Sequence, residues 1–333
     1  MKVQQMLVLS KVRSWTKQTG LHVLREYGIF VIFIALCLAI GLMRPVFFSL
    51  TNIFNVIRQV SMIGIIGAGM TFVILAADID LSVGSVAAFC GALCAGLMVW
   101  NHFPVLVAIL IALLVAGFMG WVIGIITTKA HVHSFVVTLG MMSVARGATL
   151  VYTRGLPISG TPRAFAILGE GMVGPVPVPV ILFICGILIG HFVLTRTVFG
   201  RAVYAVGGNR EAARLSGIKV DRIRITNFVI CSTLAGLAGI ILTSRVRSAV
   251  PLAAQGWELD VIASVIIGGT SLFGGRGGVI GTLIGALFLG VLRNGADLLG
   301  VSPYYQQVLM GAVVIGAVVL DRVRHRAVST SSR

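Results

Sequence analysis

The segment Thr195–Arg224 reads TRTVFGRAVYAVGGNREAARLSGIKVDRIR, the longest polar interruption in an otherwise apolar chain. Seven of the 26 Lys and Arg residues fall within it, between Arg196 and Arg224. Long hydrophobic blocks flank it, the pattern of membrane spans joined by a charged surface loop. Inside it lies a compact cassette, Asn209-Arg210-Glu211-Ala212-Ala213-Arg214-Leu215-Ser216-Gly217. Asn209 suits an N-cap, because its side chain accepts a hydrogen bond from an unpaired helix N–H. Glu211 falls in the first turn, where its charge suits the helix dipole. Gly217 can adopt the left-handed conformation that ends a helix. The cassette is therefore expected to be a short exposed helix of about two turns, held against a membrane by its flanks, at which a partner docks.

The rest of the composition fits this reading. Of 333 residues, 57% are hydrophobic and 11% charged, and the mean hydropathy is +1.03. Soluble domains carry about a quarter charged residues, so the chain is expected to be an all-α, polytopic membrane protein. The net charge of +16 is no nucleic-acid footprint, because Lys and Arg collect in cytoplasmic loops to fix orientation. The five cysteines all lie in apolar segments without CxxC spacing, which argues against a disulfide framework or a zinc site. The apolar run Ile29–Leu42 is followed by no small-residue cleavage site and reads as a retained first span.

Working outward, about ten spans are expected. They are 27–43, 60–77, 81–100, 105–128, 135–153, 178–194, 225–243, 259–267, 279–292 and 304–320, with some broken or re-entrant. Residues 47–59 read as a possible interfacial helix. A basic N-terminal segment 1–26, a membrane domain 27–320 with the loop 196–224, and a basic tail 321–333 complete the organisation. With both termini inside, the internal side carries eighteen Lys and Arg residues and the external side seven, which supports N-in, C-in. Ser82–Leu93 weakly echoes Arg276–Leu287, either a duplication or a shared Gly/Ala composition.

Candidate chemistry is sparse. A carboxylate at the bilayer centre costs on the order of 2.5–3.5 kcal/mol, so Asp78 and Asp80 need water, a partner or the membrane surface. With Ser82, Gly84 and Ser85 restarting the span, they read either as a broken helix beside a polar pathway or as a tight turn capped by Asp80. Gly268–Gly278 is expected to be a re-entrant segment or turn, and places Gly268, Gly269 and Thr270 beside the same pathway. It lacks the Lys-Ser/Thr ending of a P-loop. Trp257-Glu258-Leu259-Asp260 either cap a helix or meet an external protein. Asn294, Asp297, Tyr304, Tyr305, Gln306 and Gln307 suit sugar hydroxyls or an interfacial anchor. His131 and His133 lack further ligands nearby in sequence, and no Gly-x-Ser-x-Gly or His-Glu-x-x-His appears, so no catalytic or metal role is assigned.

Ile79-Asp80-Leu81-Ser82-Val83-Gly84-Ser85, Gly208-Asn209 with Glu211-Ala212-Ala213-x3-Gly217, Gly268-Gly269-Thr270-Ser271-Leu272 and Gly281–Leu287 resemble, in order and spacing, the permease subunits of bacterial ABC sugar importers. Asn294-Gly295, Leu298–Ser302 and Tyr304-Tyr305-Gln306 look most like the ribose permease branch. The resemblance implies a ten-helix subunit of the bacterial cytoplasmic (inner) membrane working by alternating access. Its partners would be the lipid bilayer, a second permease copy, two ATP-binding subunits or a fused double ATPase, and a periplasmic sugar-binding protein. It would hold no cofactor and be no enzyme itself, ATP and Mg being used by the partner ATPase. Asn209, Glu211, Ala212, Ala213 and Gly217 match the ATPase-docking motif; Ala212 and Ala213 permit close approach, and Arg210, Glu211 and Arg214 are placed for salt bridges at the rim. The family commonly has Gly where this chain has Asp78. The rival reading is an ion-coupled secondary transporter or channel using Asp78 and Asp80.

Overall fold

The computed structural model describes residues 30–330. The basic segment 1–26, the start of the first span and the last three residues of the tail lie outside the described residues. The chain forms two units, divided between Ser49 and Leu50. In the first, helix α1 (Phe30–Met43) leads into a 3-10 turn, Pro45–Phe48. Gly41 lies directly against the Phe48 ring.

The second unit is helical almost throughout: α2 (Leu50–Leu75), α3 (Val83–Val99), α4 (Val105–Lys129), α5 (Ser134–Thr153), α6 (Arg163–Glu170), α7 (Val178–Arg196), α8 (Val198–Gly208), α9 (Arg210–Leu215), α10 (Val220–Val246), α11 (Trp257–Ile267), α12 (Val279–Leu298) and α13 (Pro303–Thr330). Two-residue strands pair β1 (Ile158–Ser159) with β4 (Ser248–Ala249), and β2 (Met172–Val173) with β3 (Val176–Pro177). Among the described residues, α2, α4, α5, α7, α10 and α12 are long and apolar enough to cross a membrane, while α1, α3 and Pro303–Val319 are shorter apolar helices.

One expectation fails here. Residues 47–59 form no separate interfacial helix, because α2 runs without a break from Leu50 to Leu75. Asn52, Asn55 and Arg58 made the segment look polar, but it carries the first turns of α2 and already buries Val56.

Helix α10 is the centre of the unit, and small residues let its neighbours approach it closely. A side chain at Gly120 would meet the Phe228 carbonyl, one at Gly124 the Ile225 backbone, one at Gly69 the Cys231 backbone, and one at Gly239 the Ala87 carbonyl. Thus α4, α2 and α3 all press on α10 backbone to backbone. Ser244 near its end fixes α6, donating to the Phe165 carbonyl and accepting from the Gly169 N–H.

Helix lengths expose two discontinuities. At 1.5 Å per residue, α10 spans about 40 Å and α11 about 16 Å, half a bilayer crossing. Asp78–Ser82 has no helical structure, so α2 and α3 are joined through a non-helical link. Residues 251–256 form turns ahead of α11, and they reach the first turn of α3, since a side chain at Gly84 would sit 2.5 Å from the Ala254 carbonyl.

Candidate coupling and translocation sites

The central loop is almost wholly helical, α8 and α9 meeting at Asn209. The Asn209 side chain accepts from the Ala212 N–H at 3.0 Å, and Glu211 stands in the first turn. Gly217 has φ +83°. Its N–H donates to the Arg214 carbonyl, and the Ile218 N–H donates to the Ala213 carbonyl, which closes the helix as a left-handed glycine does. Asn209, Glu211, Ala212 and Gly217 are exposed. Ala213 is not: it is 4% exposed and joins a cluster with Ala76, Val206 and Val220. It seats the helix rather than presenting a surface. The outer face is completed by Leu215, 81% exposed. Arg210 stays half-exposed, but its guanidinium serves the bundle rather than the rim. It folds inward, while Arg214 stays outside, 3.8 Å from Asp221; Asp221 also pairs with Lys129 at 2.9 Å.

Arg210 turns toward the end of α2. Its Nη2 donates to the carbonyls of Ala76 and Ala77 at 2.9 and 2.8 Å and lies 3.1 Å from Asp78 Oδ1. Arg224, in the second turn of α10, grips the same carboxylate with both arms, Nε to Oδ2 at 2.7 Å and Nη2 to Oδ1 at 2.8 Å. Such two-armed pairing is the strong form of the carboxylate–guanidinium bond. Asp78 is therefore a buried structural anion, no free carboxylate in a pathway.

The glycine-rich stretch closes on the same point as a turn. Gly274 and Gly275 have φ of +82° and +71°, and the Gly275 N–H donates to the Leu75 carbonyl at 2.9 Å. Gly207 packs on that carbonyl as well. Buried Thr270 accepts from the Gly278 N–H at 3.2 Å, Asp321 accepts from Ser271 Oγ and the Leu272 N–H, and Tyr204 donates to the Gly277 carbonyl at 2.8 Å. Burial pushes the Tyr204 phenol up, so it remains a donor at neutral pH. Gly268 lies against Gly281 of α12, a packing role, and Gly269 supplies a left-handed turn at φ +89°.

Beyond Asp78 the chain reaches Asp80, fully buried. Its Oδ1 accepts from the Ser82 N–H at 2.8 Å and from Ser82 Oγ at 2.6 Å, a local turn two residues ahead. It does not cap α3, whose N-cap Ser82 has no side-chain cap bond. Asp80 Oδ2 has no partner among the described residues. Ser85 is buried, and Gly84 faces Ala254 and Glu258, whose Oε2 would lie 2.6 Å from an added side chain. The starts of two part-length helices, α3 and α11, thus meet. Arg146 of α5 braces this junction, its Nη1 donating to the carbonyls of Pro251 and Ala253 at 2.9 and 3.0 Å.

Asn294 lies apart. It exchanges amide bonds with Asn52 at 2.9 Å, one residue beyond the Arg293–Asp260 pair at 2.9 Å. Gln306 donates to Asp297 and to the Val301 carbonyl, tying the start of α13 to the end of α12. Arg224 and Leu215 were not singled out in the sequence, and Arg210 was expected to form salt bridges at the docking rim rather than to grip the end of α2. Leu215 alone had a local signal, an apolar residue in a polar cassette; the two arginines needed the neighbours of α2 to be known.

Comparison with known proteins now has a geometry to attach to. The family model described as "Branched-chain amino acid transport system / permease component" matches residues 52–318. The chain is 45% identical to the ribose import permease protein of Bacillus subtilis (strain 168), over 92% of this chain and 97% of that protein. It is 44% identical to the ribose import permease protein of Escherichia coli (strain K12), over 90% and 94%. Identity is 40% to the D-allose transport system permease protein of Escherichia coli (strain K12), over 90% and 92%. No solved structure matches. With the family model covering most of its length and relatives at this identity along nine-tenths of it, the chain belongs to the family of branched-chain amino acid transport system permease components.

Proposed function

We propose that this chain is the membrane-spanning permease subunit of an ATP-driven importer for a monosaccharide, with ribose the favoured cargo. It lies in the bacterial inner membrane with both termini in the cytoplasm, its ten apolar segments crossing by whole or part helices. Two copies pair and are driven by two ATP-binding subunits, or one fused double ATPase, which use the ATP and Mg. A periplasmic sugar-binding protein delivers the sugar. The relatives bear the names of ribose and allose permeases, which supports the sugar class.

The observation that carries the coupling half is the two-faced helix α9. Glu211, Ala212 and Leu215 stand outside, while Ala213 and Arg210 fasten the helix to the end of α2. An exposed leucine beside an acid on a small capped helix offers an apolar anchor with a charged rim. The coupling residues are thus Asn209, Glu211, Ala212 and Gly217, with Leu215 added. The pathway is assigned to the α3–α11 junction around Asp80, Ser82, Gly84 and Ser85. Discontinuous helices meeting inside a membrane domain are where transporters place their cargo.

The test is reconstitution of Glu211→Lys together with Ala212→Phe. ATPase subunits are expected to be lost on purification, and ATP-driven sugar uptake with them. Intact co-purification and uptake would remove α9 as the docking element. An ion-coupled transporter would instead rest on Asp80 alone, since Asp78 is held by two arginines. Uptake that follows the proton gradient without ATP would favour it.

A further inference from the structure

At the end of α2 the cytoplasmic cassette, the centre of the bundle and the interrupted segment all meet at a single side chain, that of Asp78. Arg210 belongs to the first turn of α9, and Arg224 to α10. Their side chains are 40% and 11% exposed, and Asp78 only 3%. The carboxylate is thus shared between an outer, reachable arginine and an inner, fixed one. On the far side of Asp78 come the non-helical residues to Ser82 and then the start of α3. That start touches Ala254 and Glu258 at the head of α11. Only Ile79–Ser82, tied by the Asp80–Ser82 turn, separates Asp78 from the start of α3, so a shift at Asp78 reaches α3 through a short, hydrogen-bonded link.

We propose that Asp78 is the transmission contact between energy input and the pathway, a positioning residue that links movement of α9 to the start of α3. This rests on the reading of α9 as the docking helix. When α9 shifts against α10, the carboxylate is exchanged between Arg210 and Arg224, two discrete arrangements of the kind that carry coupling. Loss of Arg210 frees the Ala76 and Ala77 carbonyls and leaves Asp78 to Arg224 alone, because the same Nη2 holds all three.

The experiment uses the complete transporter, permease with its ATPase and binding protein, in proteoliposomes with ribose. Asp78→Asn and Arg210→Gln are compared with wild type for retained ATPase subunits, ATP hydrolysis, melting temperature and sugar imported per ATP. The variants are expected to keep their ATPase subunits and hydrolysis, while sugar per ATP falls by about tenfold, within the range of ordinary coupling energies. Arg210→Lys is expected to recover part of that loss. An unchanged ratio would overturn the proposal, as would uptake, hydrolysis and melting temperature all falling in parallel, which is the signature of a purely structural pair. Should Asp78→Asn fail to reach the membrane, Arg210→Gln decides alone, since it leaves the buried Asp78–Arg224 pair intact. A wild-type chain that retains no ATPase would defeat the proposed function itself, a result separable from any change confined to these variants.

Discussion

Gly84 shows how much one missing side chain decides. A methyl there would lie 2.5 Å from the Ala254 carbonyl oxygen and 2.6 Å from Glu258 Oε2, whereas Gly140 and Gly147 of α5 have nothing within 4 Å. Gly84→Ala is expected to destabilise by about 1–3 kcal/mol, as overpacking does, and to cut sugar uptake. Gly147→Ala is expected to leave both unchanged or slightly better. Thermal unfolding in detergent checks both, and equal behaviour of the pair would refute the assignment of the junction. Asn209→Ala is expected to cost about 1 kcal/mol of local helix stability, read as faster amide exchange at Ala212, with Asn209→Ser restoring protection. The cap and the left-handed Gly217 were legible from the sequence, because both are local backbone effects. The arginine grip on Asp78 was not, since its partners stand 132 and 146 positions away.

At the scale of the element, α9 is too short to be stable alone and owes its form to what it sits on. Its spacing places Ala213 inward onto Val206, Val220 and Ala76, so the two alanines of the motif divide their labour. Ala213→Leu is expected to overpack that cluster and lower the melting temperature. Leu215→Asp, at an 81% exposed position, is expected to leave melting unchanged and to abolish ATPase co-purification. A pull-down paired with a thermal melt separates the two, and the reverse pattern would mean the faces are misassigned. The sequence gives the cassette as a helix but no fixed rotation for it, because six residues hold fewer than two turns of periodicity.

For the whole molecule, the paired discontinuities matter most. Arg146 holds the turn before α11 through two backbone carbonyls. Arg146→Ala strips both acceptors of their donor, at a cost of about 1–3 kcal/mol, and is expected to raise hydrogen exchange across residues 250–256 without affecting α9. Exchange unchanged in that segment would show the brace to be idle. Orientation is tested by labelling: in a Cys185→Ser background, Glu211→Cys is expected to react with a membrane-impermeant thiol reagent from the cytoplasmic side alone.

The sequence by itself determined the membrane class, the alternation of apolar helices and the capped helix at Asn209. These follow from hydropathy, charge and local backbone preference, all of which act over a few neighbouring residues. The tertiary structure alone decided that α2 is one continuous helix, that the glycine-rich stretch is a turn clasping its end, and that Asp78 is paired with arginines. It also turned the charged interruption at Thr195–Arg224 into a device with two faces, one outward and one fixed to the bundle. Those outcomes depend on which helices lie side by side, and side-by-side packing through glycine leaves no periodic trace along a single chain.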